Sequence, residues 1–502
     1  MESLPVCEGS YDSTITFAEV EHVLEESSLK TFNLVEEGSG SRTLLTVDLR
    51  VHELQEFYLS NAIPQSRKCS VSSWLSAYPN RAEIRSLTIH QRLTPSCPTN
   101  LLLQYNHKHL CAWIKTFHWV VVVVVLLLCT THVLGAEVDL YVNITIVESA
   151  TAQGAVCLDG SPPAYHLHRG HGNGLHSWII YLDGGGWCNS ILDCLNRSTM
   201  YLGSTKKMDK QGFFAGILHN TSKYNPEFYN WNRVRVKYCD GSSFTGDVEQ
   251  VHPENKLYFR GARIFKAIME DLWSKGMKNA ENAILSGTSA GELATILNCD
   301  KFKCLLPENA RVKCVADPGF FINGKTIYGT SHIQEMYQKI VNLHGSAKNL
   351  PSACTSAMEP SLCFFPQNIV PYIQTPLFII NSIYDTWQIT KTLVPAYLDP
   401  QHAWKDCINN TNSCTFSQRI IIQVFGVNFL KTFEGLPPCF TRGYFLTSCY
   451  SHGLIVASSY WFSGSSPRLL NKTIAEAVAD WYFERAEIQY RDPYPFVRNC
   501  PQ

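Results

Sequence analysis

The stretch that decides the fold lies at residues 283–292 and reads Ala-Ile-Leu-Ser-Gly-Thr-Ser-Ala-Gly-Glu. Residues 283–286 form a short apolar run that predicts a buried strand, and residues 292–297 begin a helical pattern. Between them lies a Gly-x-Ser-x-Gly turn with Ser289 at its centre. A serine becomes a nucleophile when a base removes its proton, and a strand-turn-helix arrangement holds the serine at the tip of a tight turn. The pattern therefore predicts a nucleophile elbow.

The sequence around this turn alternates between short apolar runs and helical stretches, which is the pattern of an α/β sheet fold. Strands are predicted at residues 178–182, 234–238 and 376–381, and a helix is predicted at 262–275, ending near Gly276. Each predicted strand meets a polar loop at its carboxyl end. Open α/β sheets place their sites at that end.

A glycine-rich loop follows the first of these strands, about 100 residues before Ser289, and reads Gly184-Gly185-Gly186-Trp187. Three glycines leave the backbone bare, so N–H groups can approach a substrate oxygen. Alone, this loop is equally compatible with an ordinary flexible turn. Because it precedes the elbow, we interpret it as one half of an oxyanion hole formed by the N–H groups of Gly185, Gly186 and Ala290.

A catalytic serine also needs a histidine and an acid, which in α/β hydrolases follow in the order Ser, Asp, His. Asp385 follows a predicted strand, and His452 lies in a loop near the end of the fold. The acid would fix the imidazole tautomer, and the histidine would act first as base and then as acid. On position alone two rivals stay open, Asp317 after another apolar run and His402 in a loop after Asp385.

Composition narrows the class of protein. Of the 19 cysteines, 14 follow residue 136, and a dense, even set indicates disulfides and an oxidising compartment. Structural zinc is disfavoured because no paired C-x-x-C spacing occurs, and we expect no metal and no organic cofactor. The formal net charge of −1, without a dense Lys/Arg run, argues against nucleic-acid binding. Past residue 136, 32 Lys and Arg residues stand against 30 Asp and Glu residues, which suits an acidic polymer substrate.

An apolar run at residues 119–129 predicts entry into the secretory route. It is too short to span a bilayer, which takes about 20 residues, but it fits the core of a signal peptide. Lys115 supplies a positive flank, and small residues up to Ala136 offer a cleavage site. Five glycosylation sequons downstream agree with this route, at Asn143, Asn196, Asn220, Asn409 and Asn471.

These features divide the chain into three predicted parts. Residues 1–110 are an N-terminal extension of unassigned role, residues 111–136 a signal peptide or signal anchor, and residues 137–502 the enzyme domain. The extension has three open interpretations: a mis-assembled gene model, which is favoured, a real extension ahead of an internal signal, or the cytoplasmic tail of a signal anchor. No stable membrane partner is expected unless the apolar segment stays uncleaved.

Five longer motifs resemble those of plant pectin acetylesterases. They are CLDGSPP at 157–163, GGGWC at 184–188, YNWN at 229–232, YCDGSSF at 238–244 and NSIYDTWQI at 381–389. The similarity extends from about Val142 to about Tyr482. It implies an α/β-hydrolase-like fold, with a mostly parallel central sheet flanked by helices, and removal of acetyl groups from cell-wall pectin. By motif match it places the nucleophile on Ser289, the acid on Asp385 and the histidine on His452.

The chain departs from the family pattern at three places. The first is the family's Gly-Cys-Ser-Ala-Gly-Gly motif, in which Thr288 replaces the Cys and Glu292 replaces the last Gly. The second is Gly453, which replaces the Cys after the histidine. The third is the stretch at residues 454–460, which is unusually apolar. The lost cysteines suggest a missing disulfide near the site or merely missing buried thiols. A carboxylate at position 292 is expected close to the developing oxyanion, where it would raise the barrier.

The sequence therefore predicts a secreted serine carboxylesterase that acts on acetylated pectin in the cell wall. Two alternatives remain open. One is deacylation of a lipid-modified protein, as in the related Notum carboxylesterases, and the other is a wall-binding homologue with impaired catalysis.

Overall fold

The computed structural model describes residues 31–35, 44–48 and 139–500. Strands β1 (Thr31–Val35) and β2 (Leu44–Asp48) pair antiparallel and belong to a compact unit separate from residues 139–500. The predicted signal segment lies outside the described residues, as does most of the predicted extension. Within the described part of the chain, no helix is both long and apolar enough to cross a membrane.

Residues 139–500 contain one large sheet. Its strands are β3 (Leu140–Ile146), β4 (Ala164–His168), β5 (Ser177–Leu182), β6 (Gln211–Phe214), β7 (Asn232–Val236), β8 (Asn282–Thr288), β9 (Arg311–Asp317), β10 (Leu377–Ser382), β11 (Gly443–Thr447) and β12 (Gln489–Arg491). Their order across the sheet is β12-β11-β10-β9-β8-β5-β7-β4-β3-β6. The strands from β12 to β7 pair in parallel, and β4, β3 and β6 continue the sheet antiparallel. The prediction of an α/β fold with a mostly parallel sheet is confirmed.

Helices connect and cover these strands. They are α1 (Ile191–Ser198), α2 (Gly261–Ser274), α3 (Ala290–Cys304), α4 (His332–His344), α5 (Ser352–Thr355), α6 (Pro366–Ile369), α7 (Thr386–Gln388), α8 (Lys405–Asn409), α9 (Phe416–Glu434), α10 (Ser458–Trp461) and α11 (Ile474–Tyr482).

The central strands are buried on both faces. Every residue of β5 and β10 is buried, and successive side chains belong to opposite cores. Ile180 belongs to the core that contains Leu293 of α3, whereas Ile179 belongs to the core that contains Val478 of α11. Because helices cover both faces, these strands read in the sequence as continuous apolar runs, which made them predictable.

The predicted elements agree with the structure to within one or two residues for β5, β8, β10 and α2. β7 lies two residues earlier than the predicted strand at 234–238. The long helix α9 was not predicted, because its apolar residues are spread around the helix. Ile420 and Val424 are exposed, whereas Phe425 is buried, so no single apolar stripe identifies the helix.

Disulfides were correctly predicted for the part of the chain after residue 136. Six pairs form: Cys157–Cys239, Cys188–Cys194, Cys299–Cys314, Cys354–Cys363, Cys407–Cys414 and Cys449–Cys500. Two of them lie beside predicted site loops: one follows the glycine-rich loop, and one begins three residues before His452. A third joins the helix α3 to the strand β9. Cross-links of this kind restrict the chain segments that they close.

The elbow requires glycine at position 291. A Cβ there would lie 2.1 Å from the carbonyl oxygen of Leu182, a backbone atom that cannot yield. We expect Gly291→Ala to lower the free energy of unfolding by about 1–3 kcal/mol or more, measured by urea denaturation. Gly464→Ala is the control, because a Cβ at that exposed glycine meets nothing within 4 Å. Equal effects of the two substitutions would contradict the close packing.

Candidate active site

All predicted site residues lie at one edge of the sheet, on loops that leave the carboxyl ends of parallel strands. Residues 184–186 follow β5, Ser289 follows β8, Asp385 follows β10 and His452 follows β11. Ser289, His452 and residues 184–186 line one cavity of about 380 Å³. The volume falls within the usual range of small-ligand pockets.

Ser289 has the strained backbone expected of a nucleophile elbow. Its φ is 62° and its ψ is −123°, a backbone conformation that residues other than glycine rarely adopt. Its N–H donates to the carbonyls of Asp317 and Pro318, both at 3.1 Å. The strain is sustained because β9 on one side and α3 on the other fix the turn.

His452 is oriented by Asp385. The imidazole Nδ1 lies 2.7 Å from Asp385 Oδ2, and Asp385 Oδ1 accepts the backbone N–H of Gln388 at 2.8 Å. Phe321 and Trp387 stack near the imidazole, with ring centroids 6.1 and 6.4 Å away. Burial lowers the pKa of His452, but the adjacent Asp385 carboxylate outweighs it, so the net pKa is raised.

The Nδ1 contact leaves Nε2 as the imidazole atom available to Ser289. Among the described residues, no hydrogen bond within 3.5 Å joins the Ser289 hydroxyl to His452, although both side chains line the same cavity. Such contacts are often loose before substrate binds. The rival histidine, His402, lies in an exposed loop outside this cavity.

The glycine-rich loop is held by its carbonyl groups. Arg197 Nη1 donates to the Gly185 carbonyl and the Tyr238 hydroxyl to the Gly186 carbonyl, both at 2.8 Å. Across a trans peptide the C=O and N–H groups point in opposite directions, so the Gly186 N–H points away from Arg197. The φ angles of Gly185 and Gly186, 145° and 65°, are in the region that favours glycine.

One hydrogen-bonded chain joins this loop to the helix after Ser289. The Ser243 hydroxyl accepts from Trp187 Nε1 and donates to the Ala290 carbonyl, both at 2.7 Å, and the Ser243 N–H donates to the Tyr238 hydroxyl at 3.0 Å. The glycine-rich loop and Ala290, which together supply the three predicted oxyanion donors, are therefore connected through the same buried serine. In the sequence, residues 238–244 are recognisable only as a family motif, and nothing there predicts this role.

Asp317, the rival acid, does not hold the His452 imidazole, whose Nδ1 contacts Asp385. Its carboxylate accepts from the Thr288 hydroxyl at 3.0 Å, from the Leu454 N–H at 2.9 Å and from the Ile455 N–H at 3.0 Å. It thus connects the turn before Ser289 to the loop after His452. Burial raises the pKa of Asp317 to about 7, against the hydrogen bonds, which lower it.

The three departures from the family pattern meet at this place. A Cβ on Gly453 would lie 3.4 Å from Thr288 Cγ2, so the two positions where the family motif has cysteines are direct neighbours. In this chain the Thr288 hydroxyl and the N–H groups of Leu454 and Ile455 donate to the Asp317 carboxyl group. Hydrogen bonds to one buried carboxyl group connect the two loops.

Glu292 lies beneath the elbow rather than in the cavity. It is fully buried, and its carboxyl oxygens have no hydrogen-bond partner among the described residues. Burial, together with the negative charges of Asp317 and Asp385, raises the pKa of Glu292 well above its usual range. A neutral carboxyl group exerts little repulsion on a developing oxyanion, which weakens the expectation that Glu292 raises the barrier.

Charged side chains line the wall of the cavity beside Ser289. Asp183 follows β5, and its carboxylate contacts Arg235 Nε at 2.7 Å and Lys237 Nζ at 2.5 Å. Arg235 lies on β7 and Lys237 follows it. This charged group was not predicted from the sequence, although the sequence of β7 indicates it. Its basic residues alternate with valines, which places them on one face.

One cluster of possible metal ligands occurs in the described residues, Cys188, Cys194 and His344. Its two sulfur atoms form a disulfide, so they offer no thiolate to a metal ion.

Comparison with known proteins identifies the family of this chain. Residues 136–501 match the pectinacetylesterase family, and the chain belongs to that family. It is a carboxylic ester hydrolase. The resemblance inferred from the motifs is thereby confirmed.

Individual relatives show the same relationship. The chain is 49% identical over 367 residues to pectin acetylesterase 11 of Arabidopsis thaliana, covering 73% of this chain and 93% of that protein. It is also 49% identical over 362 residues to pectin acetylesterase 7 of Arabidopsis thaliana, covering 72% and 93%. A more distant relative is palmitoleoyl-protein carboxylesterase notum1a of Danio rerio, 29% identical over 320 residues, covering 61% and 59%.

The raised pKa of Asp317 predicts a stability change with pH. The folded chain keeps this proton up to about pH 7, whereas an unfolded Asp loses it near 3.8. Stability therefore falls between about pH 4 and 7, by on the order of 4 kcal/mol from this group. In urea unfolding from pH 4 to 8, Asp317→Asn should gain stability relative to the unmodified protein over that window. A difference that stays constant with pH would contradict the assignment.

Proposed function

We propose that this protein hydrolyses acetyl esters of pectin through a Ser289–His452–Asp385 triad on an α/β-hydrolase-like fold. The observation that carries the proposal is the 2.7 Å contact between His452 and the buried Asp385, beside a cavity that His452 shares with Ser289. The strained turn at Ser289 supports the role of nucleophile, because such strain is typical of serine elbows.

In the proposed reaction, Ser289 attacks the acetyl carbonyl while His452 Nε2 removes its proton. Asp385 holds the imidazole in the tautomer that presents Nε2 and stabilises the imidazolium that forms. The N–H groups of Gly185, Gly186 and Ala290 donate to the oxyanion. As the C–O bond to the sugar breaks, His452 protonates the departing sugar oxygen, which leaves as a hydroxyl group. His452 then takes a proton from water, which attacks the acyl-enzyme, and returns that proton to the Ser289 oxygen as acetate departs.

The shape of the site supports a polymer substrate. His452 lines the cavity of about 380 Å³ and also a second one of about 740 Å³, bordered by Tyr450, Ser451 and Tyr460. Because the proposed base lines both cavities, they give room for sugar units near the scissile ester. The charged groups near Ser289 do not favour a long acyl chain, since burying charge against hydrocarbon is costly.

The proposal predicts how acetate release from acetylated pectin responds to substitution. Ser289→Ala and His452→Gln should each lower kcat by about a thousandfold or more, because the triad acts as a unit. His402→Gln is the matched control and should retain activity, since this histidine lies in an exposed loop. A serine-directed phosphonate should label the unmodified protein and not Ser289→Ala. Undiminished acetate release by Ser289→Ala would disprove the assignment.

The same assay separates the other functions. A preference for a palmitoleoyl ester over an acetyl ester would indicate lipid deacylation. Pectin binding without turnover of either ester, and without phosphonate labelling, would indicate a binding protein that has lost catalysis.

We further propose that the enzyme domain, residues 137–502, is secreted to the cell wall after cleavage of a signal at 111–136. The disulfides support an oxidising compartment, and four of the five sequon asparagines are exposed: Asn143, Asn196, Asn409 and Asn471. When residues 111–502 are expressed in plant cells, we expect glycosylated protein in the medium with its N-terminus near residue 137. Deleting 111–136 should retain it inside the cell. Secretion of the deletion variant would contradict the proposed signal.

A further inference from the structure

We propose that Arg235 and Lys237 form an anion subsite that binds the free carboxylate of a uronate unit beside the acetylated sugar. This inference rests on the proposed function and makes the substrate more specific, since it predicts a preference for pectin whose carboxyl groups are ionised. Both side chains line the same cavity as Ser289 and His452. A ligand held by them therefore lies within reach of the reacting ester.

The charge balance of this wall is positive. Asp183 is the carboxylate that contacts both cations. Burial raises its pKa, but Arg235 and Lys237 outweigh that effect and lower the net pKa, so Asp183 stays ionised. One negative charge thus faces two positive charges, and a net charge of about +1 remains. Such an excess in a cavity wall attracts an anionic ligand.

Both cations retain hydrogen-bonding capacity. Arg235 uses Nε for Asp183 and Nη1 for the Phe213 carbonyl at 3.0 Å, and Lys237 uses one donor for Asp183. A guanidinium has five N–H donors and an ammonium three, so several remain. The Arg235 side chain is 29% exposed and that of Lys237 16%, so both are accessible while Asp183 fixes their positions.

The chemistry of this pair selects a carboxylate. Charge-assisted hydrogen bonds from Arg and Lys to a carboxylate are shorter and stronger than those to neutral oxygens. Pectin is a polymer of galacturonic acid, whose carboxyl groups are either free or methyl-esterified. Only the free form carries the charge that this subsite would bind. An alternative is that Arg235 and Lys237 serve only to hold Asp183 and β6 in place.

The test compares kcat/KM for acetate release from two acetylated pectins, one with free carboxyl groups and one fully methyl-esterified. The unmodified protein should prefer the free form. Arg235→Gln and Lys237→Gln should each reduce the ratio of the two values by about tenfold, roughly the contribution of one charge-assisted hydrogen bond. A general loss of folded protein cancels in this ratio. Lys237→Arg should retain the preference because it retains the charge.

Lys210→Gln is the matched control, since it removes one positive charge from an exposed position outside the cavity. Its ratio should equal that of the unmodified protein. If Arg235→Gln and Lys237→Gln lose activity equally on both pectins, the two residues are structural and the subsite is refuted.

A binding measurement separates this inference from the proposed function. Calorimetry with Ser289→Ala and unacetylated oligogalacturonate needs no turnover. The double variant Ser289→Ala/Lys237→Gln should bind about tenfold more weakly than Ser289→Ala. Raising the salt concentration should weaken the binding of Ser289→Ala more than that of the double variant. Equal binding with and without Lys237→Gln would refute the subsite even if acetate release is observed. Weakened binding without any acetate release would support the subsite and overturn the proposed activity.

Discussion

The close approach of three backbone segments at the elbow constrains the rest of the site. The strand before Ser289, the helix after it and the end of β5 pass so near one another that a Cβ on Gly287, Gly291 or Gly184 would lie 2.1–2.3 Å from a carbonyl oxygen. This contact places the glycine-rich loop beside Ser289, because residues 184–186 continue from β5. The positive φ of Ser289 lies within this contact, and the Ser289 N–H sustains it by donating to the carbonyls of Asp317, at the end of β9, and of Pro318.

A second layer of hydrogen bonds makes the site rigid. Ser243 joins the glycine-rich loop to the start of α3, and Asp317 joins the turn at Thr288 to the loop after His452. Both groups are buried, so their hydrogen bonds are not weakened by competing water. Because each loop leaves a different strand, such cross-links add to the backbone contacts and the disulfides in fixing the loops relative to one another. Catalytic groups need this precision, since small displacements reduce catalysis strongly.

The residues that differ from the family pattern contribute to the packing around Ser289 and Asp317. Thr288 supplies a hydroxyl to Asp317, and Gly453, whose φ is 87°, leaves room beside it. Glu292 is buried and its pKa is raised, so its presence does not require a negative charge beneath the proposed oxyanion hole. Comparison of the motifs alone shows only that residues of the family pattern are missing at these positions. The contacts show a buried carboxyl group that connects the two loops.

The sequence by itself determined the central strands, the elbow and the order of Ser289, Asp385 and His452, because these depend on local periodicity and on chain order. The motif resemblance supplied the choice of Asp385 and His452, which position alone had left open. Only the tertiary structure decided the role of Asp317, the buried position of Glu292 and the charged wall of Arg235 and Lys237. Those properties depend on which distant segments meet and on how much water they exclude. Burial and through-space charge leave no periodic signal in a sequence.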